Sequence, residues 1–214
     1  MRLRTALAVA AADLYHQSWR LVVLNLALGA VLLSVVLASL AVPAALLLAI
    51  LIGPATASVM HCAVTLAQTE QLRLSDALIG LRRLWRRGLI LGALAAATAA
   101  LGVIAVHFYA SAGTWAWPFA ALSLYVLLVA LLVQLALWPL AVFEPTRAFR
   151  DVLAQAASMV LRRPWGFLGL AFALLLVNAV GVVAAILPFL TLTIAYSFLV
   201  SAHFALPKSP IREV

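Results

Sequence analysis

Three long stretches of this chain lack any Lys, Arg, Asp or Glu: residues 21–69, 88–143 and 164–207, which run 49, 56 and 44 residues. A helix rising about 1.5 Å per residue needs roughly 20 residues to cross a hydrocarbon core of about 30 Å. Each stretch therefore holds two crossings and a turn. Two crossings return the chain to the side it left, so all fourteen basic and six acidic residues can sit at one membrane face. Lys and Arg are retained on the cytoplasmic side during insertion, which makes that face the cytoplasm. The expected fold is all-α: a polytopic transmembrane helical bundle of six spans in three hairpins, with short amphipathic helices lying in the cytoplasmic interface.

Composition rules out a water-soluble fold. Only 9% of residues are charged and 67% are hydrophobic, whereas a soluble domain carries about 25% charged residues. The net charge of +8 does not point to nucleic acid, because the basic residues border apolar spans and form no exposed stripe. One cysteine, Cys62, excludes an intramolecular disulfide and any multi-cysteine metal site. After Arg2 and Arg4 the apolar run 6–12 stops at Asp13, too short for a signal peptide core, so the N-terminus is expected to stay.

The expected spans are 21–41, 44–67, 88–109, 118–143, 165–186 and 191–206. Before the first, Leu3, Leu7, Ala10 and Leu14 fall at helical spacing, as in a helix lying in the interface. Trp19 and Arg20 mark where the chain reaches the bilayer. In span two, Gly53-Pro54-Ala55-Thr56 is expected to break the helix, because Pro54 has no N–H to donate. Thr56 is placed to bond a backbone group that this releases. Ahead of span three, Ser75 reads as an N-cap followed by Asp76. Leu74, Leu78, Leu81, Leu84 and Trp85 form one face, with Arg82, Arg83, Arg86 and Arg87 largely on the other. His107, Phe108, Tyr109, Trp115 and Trp117 bracket the turn to span four as an outer aromatic belt. Before span five, Phe149, Val152, Leu153, Ala156 and Val160 make an apolar stripe that ends at Arg162-Arg163-Pro164-Trp165. The plan is a single membrane domain, 1–214, with three parallel units near 1–69, 70–144 and 145–206. Gly88, Gly92 and Gly102, with the alanine run 93–100, give span three a smooth side suited to close helix approach.

Leu24-Asn25-Leu26 in span one, Gly53-Pro54-Ala55-Thr56-Ala57 in span two, the basic helix 81–88 and Arg162-Arg163-Pro164 together resemble the YesL-like bacterial membrane proteins, domain of unknown function 624. The resemblance covers roughly residues 15–206, and Gly-Pro-Ala-Thr is its most specific element. It implies a polytopic protein of the bacterial inner (plasma) membrane, often associated with carbohydrate uptake systems, with no established catalytic residues. This chain departs from the pattern in its high Ala and Leu content.

Polar residues inside spans are the default functional candidates of a membrane protein. Asn25, Gln134 and Asn178 are expected to hydrogen-bond neighbouring helices. His61 is the one deep ionisable candidate, and with Cys62 it supplies too few ligands for zinc. Glu144 is expected at the boundary, either paired with Arg147 as a surface ion pair of small value or simply solvated, with gating of a cytoplasmic opening the alternative. Together with Gly53, Pro54 and Thr56, these are the candidate polar positions. Arg82, Arg83, Arg86, Arg87, Arg162 and Arg163 are the candidate surface for a partner or anionic lipid. Familiar catalytic constellations, phosphate loops and metal motifs are missing, and no cofactor is implied. The leading expectation is a non-enzymatic accessory subunit of a membrane transport system, with both termini cytoplasmic. A transporter or channel in its own right comes second, and an intramembrane lipid enzyme third.

Overall fold

The computed structural model describes residues 3–41, 51–183 and 193–207. These form α1 (Leu3–His16), α2 (Ser18–Ala41), α3 (Ile52–Thr69), α4 (Ser75–Ser111), α5 (Trp117–Phe143), α6 (Phe149–Arg162), α7 (Pro164–Val183) and α8 (Ile194–Ala205), with a 3-10 turn at Thr114–Ala116. No strand occurs among the described residues. Four helices are long and apolar enough to cross a membrane: α2, α4, α5 with its preceding turn, and α7. The protein is therefore an all-α, membrane-embedded bundle. Expected spans two and six fall partly on 42–50 and 184–192, outside the described residues.

The helices that could reach furthest through lipid are not the ones at the centre. Nearly every residue of α3 from Gly53 to Ala67 and of α8 from Ala195 to Ala205 that is not at the edge of a turn is buried or half-buried. The long α4 instead leaves Leu101, Val103, Ile104 and Phe108 exposed, and α7 leaves Phe172, Leu175 and Val180 exposed. This follows from the solvent. Lipid tails are as apolar as Leu, so leucine-rich helices gain nothing by leaving them, whereas small and polar side chains pack and pair with other helices.

Helices α3 and α4 form a hairpin built on glycine. A Cβ on Gly88 would stand 2.6 Å from Pro54 Cα, and one on Gly92 would stand 2.7 Å from Gly53 Cα. A Cβ on Gly53 would collide with the Gly88 carbonyl oxygen. The two backbones touch, and Gly88-x-x-x-Gly92 is the groove that admits α3. Further along, Ser58 Oγ donates to Ala77 O at 2.5 Å, and Gly80 lies against the His61 ring. The described part of α3 therefore lies beside the charged half of α4. The apolar half of α4 pairs with α5, where Gly102 faces Leu127.

Several expectations are corrected. Pro54 sits in the first turn of α3, which begins at Ile52 after Leu51; the residues before 51, on which the expected break depends, lie outside the described residues. The proline inside a helix is Pro139 of α5, which a membrane bundle tolerates because neighbouring groups can satisfy the released carbonyl. The basic helix before span three is not a separate element: α4 is one helix of 37 residues, about 55 Å long. Its N-cap is Leu74, with Ser75 already helical, and Asp76 Oδ2 reaches back to accept from Arg73 N–H at 2.8 Å. The packed face of α4 is Gly80, Leu84, Gly88 and Leu91; Leu74, Leu78, Leu81 and Trp85 stay exposed. Helix α1 also packs against the bundle. Ala6 and Ala10 are fully buried, and Tyr196 Oη of α8 donates to Leu7 O at 3.2 Å. Helix α6 keeps the expected stripe, with Val152, Ala156 and Val160 buried.

Candidate functional site

The charged ends of the helices are tied together at one end of the bundle. Arg20 Nη1 donates to Gln17 Oε1 at 2.9 Å and to Leu72 O, in the loop between α3 and α4, at 2.5 Å. Arg87 of α4 donates to Ala141 O at 3.2 Å, to Glu144 O at 2.5 Å and to Arg147 O. It thereby caps the carbonyl end of α5, where a cation also meets the negative end of the helix dipole. Gln68 Nε2 of α3 donates to Pro207 O at 3.3 Å. His203 Nε2 of α8 donates to Asp13 Oδ2 of α1 at 2.7 Å, and both side chains are nearly enclosed. Glu144 and Arg147 pair at 2.9 Å, and Arg147 also donates to Gln155 Oε1 at 2.5 Å, which fixes α6 to the end of α5.

The six candidate basic residues separate on this basis. Arg87 is used by the fold, while Arg82, Arg83, Arg86, Arg162 and Arg163 are exposed. Arg86 stacks on Trp85 at 5.2 Å. Around Arg82 and Arg86 lie Leu78, Leu81 and Trp85, also exposed. The start of α4 thus presents a surface that is both basic and apolar.

Deeper in the bundle, α3, α5, α7 and α8 enclose a cavity of about 650 Å³. Its wall is largely apolar, with polar groups from Thr56 of α3, Gln134 and Trp138 of α5, and Ser197 and Ser201 of α8. Its rim is formed by Leu128 and Leu131 of α5 with Phe172 and Leu175 of α7, all exposed on the outside of the bundle. The cavity therefore opens sideways, between two apolar helices. Two candidate residues from the sequence, Thr56 and Gln134, meet here. A third, Asn178, stands behind the wall: its Nδ2 donates to Leu174 O at 2.7 Å and to Ser197 Oγ at 2.9 Å, which links α7 to α8 as expected.

The other candidates lie elsewhere. Gly53 and Pro54 belong to the hairpin contact with α4. His61 lies against Gly80 and lines a smaller space of about 240 Å³ with Arg83, Gln68 and Phe143. Cys62 is fully buried. No group of three His, Cys, Asp or Glu residues among the described residues is placed to hold a metal ion. Asn25 is corrected: it is fully buried, and neither its Oδ1 nor its Nδ2 has a hydrogen-bond partner among the described residues. The buried Gln134 Oε1 lacks a donor in the same way.

The residues that sequence reasoning missed are Asp13, His203, Ser197, Ser201 and Pro139. Asp13 has a signal after the fact, since it lies three residues past Ala10 on the small-residue face of α1. The two serines are four apart on α8 and so share a face, but nothing in a run of apolar residues says which face is inward.

No family model, curated protein or solved structure matches this chain.

Proposed function

We propose that this is a six-span protein of the bacterial inner membrane, with both termini cytoplasmic, that works by associating with another membrane complex and is not an enzyme. The YesL-like resemblance supports a transport system as that complex, and carbohydrate uptake as its class. In this reading crossings two and six include α3 and α8. The observation that carries the reading is the exposed start of α4. Arg20, Arg87 and Arg147 are occupied by carbonyl or carboxylate partners, whereas Arg82, Arg83 and Arg86 remain exposed beside Leu78, Leu81 and Trp85. A basic and apolar surface of this kind suits a partner protein or anionic lipid, each basic residue near such a surface adding about 1 kcal/mol. The larger cavity carries no ionisable side chain in its wall, which weighs against ion-coupled transport, since a carrier keeps a buried charge for its coupling ion.

A photo-crosslinking residue at position 82, activated in native membranes, tests the reading. A discrete adduct with one membrane protein, lost in R83Q/R86Q at unchanged thermal stability, is the expected result. Adducts to lipid alone, or saturable solute uptake by the purified chain in liposomes, overturn it. A reporter active only outside the cytoplasm should be active at position 113 and silent after Val214; the opposite pattern refutes the topology.

A further inference from the structure

We infer that the exposed start of α4 is the docking face for an amphipathic helix of a partner protein, a helix with apolar residues at heptad spacing and acidic residues beside them. This deepens the association reading, on whose topology it rests, by stating the chemistry that the partner presents.

Three observations lead to it. First, pattern: Leu74, Leu78, Leu81 and Trp85 follow one another at intervals of four, three and four residues, so they share about 60° of the helix circumference. Spacing that alternates between three and four is the seam that a second helix fills with its own side chains. All four are exposed, Leu78 by 63%, because Gly80, Leu84 and Gly88 on the adjoining face take the contact with the bundle. Second, charge: Arg82 and Arg86 border the stripe on its other side and are exposed. Asp76 is the one acid of α4; it lies on the opposite side of the helix and accepts from Arg73 N–H. A second copy of this chain stands the same way up in the membrane and would bring arginine against arginine, so the complementary flank is acidic. Third, position: α4 runs unbroken from Ser75 to Ser111, and its uncharged part from Gly88 onward is about 36 Å long, enough for a hydrocarbon core of about 30 Å. Trp85 then sits at headgroup level. Leu78 precedes it by seven residues and Leu74 by eleven, roughly 10 and 16 Å along the axis, whereas the headgroup layer is only about 5–8 Å deep. A tilt of about 20° shortens these heights by less than about a tenth. Leu74 and Leu78 therefore stand in water, beyond the reach of a lipid surface, where a partner helix gains by covering them.

The test uses the purified full chain in phosphatidylcholine nanodiscs and a fluorescent synthetic helix of about three heptads, with Leu at the seam positions and Glu beside them. Anisotropy should show saturable binding, about tenfold tighter than that of the same peptide with Lys in place of Glu, and the difference should shrink as salt rises from about 0.1 to 1 M. Arg82→Gln with Arg86→Gln should remove the preference for Glu, and Leu78→Ser should weaken both peptides about tenfold. Arg162→Gln with Arg163→Gln, a basic pair away from the stripe, should change neither. If Leu78→Ser fails to fold, the Arg82 and Arg86 variant still decides. Equal binding of the Glu and Lys peptides overturns the acidic partner, and binding indifferent to Leu78→Ser overturns the seam. Lipid adducts of a photo-crosslinking residue at position 78 in phosphatidylglycerol nanodiscs would make lipid the occupant, and adducts there between two copies in native membranes would make it a second copy; either result overturns the proposal. A discrete protein adduct at position 82 in native membranes, together with equal binding of the two peptides, would leave the association reading standing and refute this one alone.

Discussion

Replacing Gly88 or Gly92 by alanine adds one methyl group where two helix backbones already touch. The new Cβ would lie 2.6 Å from Pro54 Cα in Gly88→Ala and 2.7 Å from Gly53 Cα in Gly92→Ala. Carbon atoms settle at about 3.5–4.0 Å, so the α3–α4 hairpin must open by about 1 Å along its crossing. Both obstacles are backbone atoms, and no rotamer change relieves them. Overpacking of this kind costs about 1–3 kcal/mol. Alanine returns about 0.5–1 kcal/mol of helix propensity over glycine, which leaves a net loss of about 1–2 kcal/mol. At about 2–4 °C per kcal/mol for a chain of this size, the melting temperature should fall by about 2–8 °C. Gly102→Ala is the control. Its Cβ would meet Leu127 Cδ1 at 2.5 Å, but that is the tip of a flexible side chain that can rotate away, so the net change should be near zero. Thermal melts of the three purified variants in one detergent decide the matter. Equal shifts for Gly88→Ala and Gly102→Ala would refute the claim that the hairpin is held by backbone contact.

Three further outcomes follow from the charged end and the buried amides. Arg87→Gln should destabilise the protein by about 2 kcal/mol through lost charged hydrogen bonds to three carbonyls, while Arg82→Gln stays within about 0.5 kcal/mol; equal effects in denaturation would remove the capping role. Asp13→Asn and His203→Gln should each lower stability, and the double variant should be less harmful than the sum, because each single change leaves a buried polar partner stranded; strict additivity would show that the 2.7 Å contact is not an energetic unit. Asn25→Leu should be neutral or stabilising by about 1 kcal/mol, since it removes two unpaired buried polar atoms; a loss larger than about 1 kcal/mol in a detergent melt would mean that Asn25 has a partner.

Much of the candidate site was legible as residues and not as places. Thr56, Gln134 and Asn178 stood out because polar groups are costly in lipid, and the structure gathers all three around one cavity. That they meet was not readable, because they lie on α3, α5 and α7, far apart in the chain. The basic residues were legible as a set, yet Arg82, Arg86 and Arg87 look alike in sequence. Only Arg87 reaches the end of α5, because the Gly88 and Gly92 contacts fix how α4 is turned. The same turn explains the wrong packing face: helical periodicity found the leucines, and the close approach of α3 selected the glycines.

What the sequence by itself determined is the solvent. Three stretches free of charge admit only a membrane-embedded helical chain, since backbone groups in lipid must be bonded within their own segment. What only the tertiary structure decided is which helix is central. Hydropathy ranks helices by affinity for lipid, and in a bilayer that ranking is no guide to burial: the long apolar α4 and α7 leave most of their length exposed, while the shorter α3 and α8 fill the middle. The pairing of Asp13 with His203 and the unpaired, buried oxygen of Gln134 follow from that arrangement. Both depend on contacts between segments that the chain brings together only when the bundle closes.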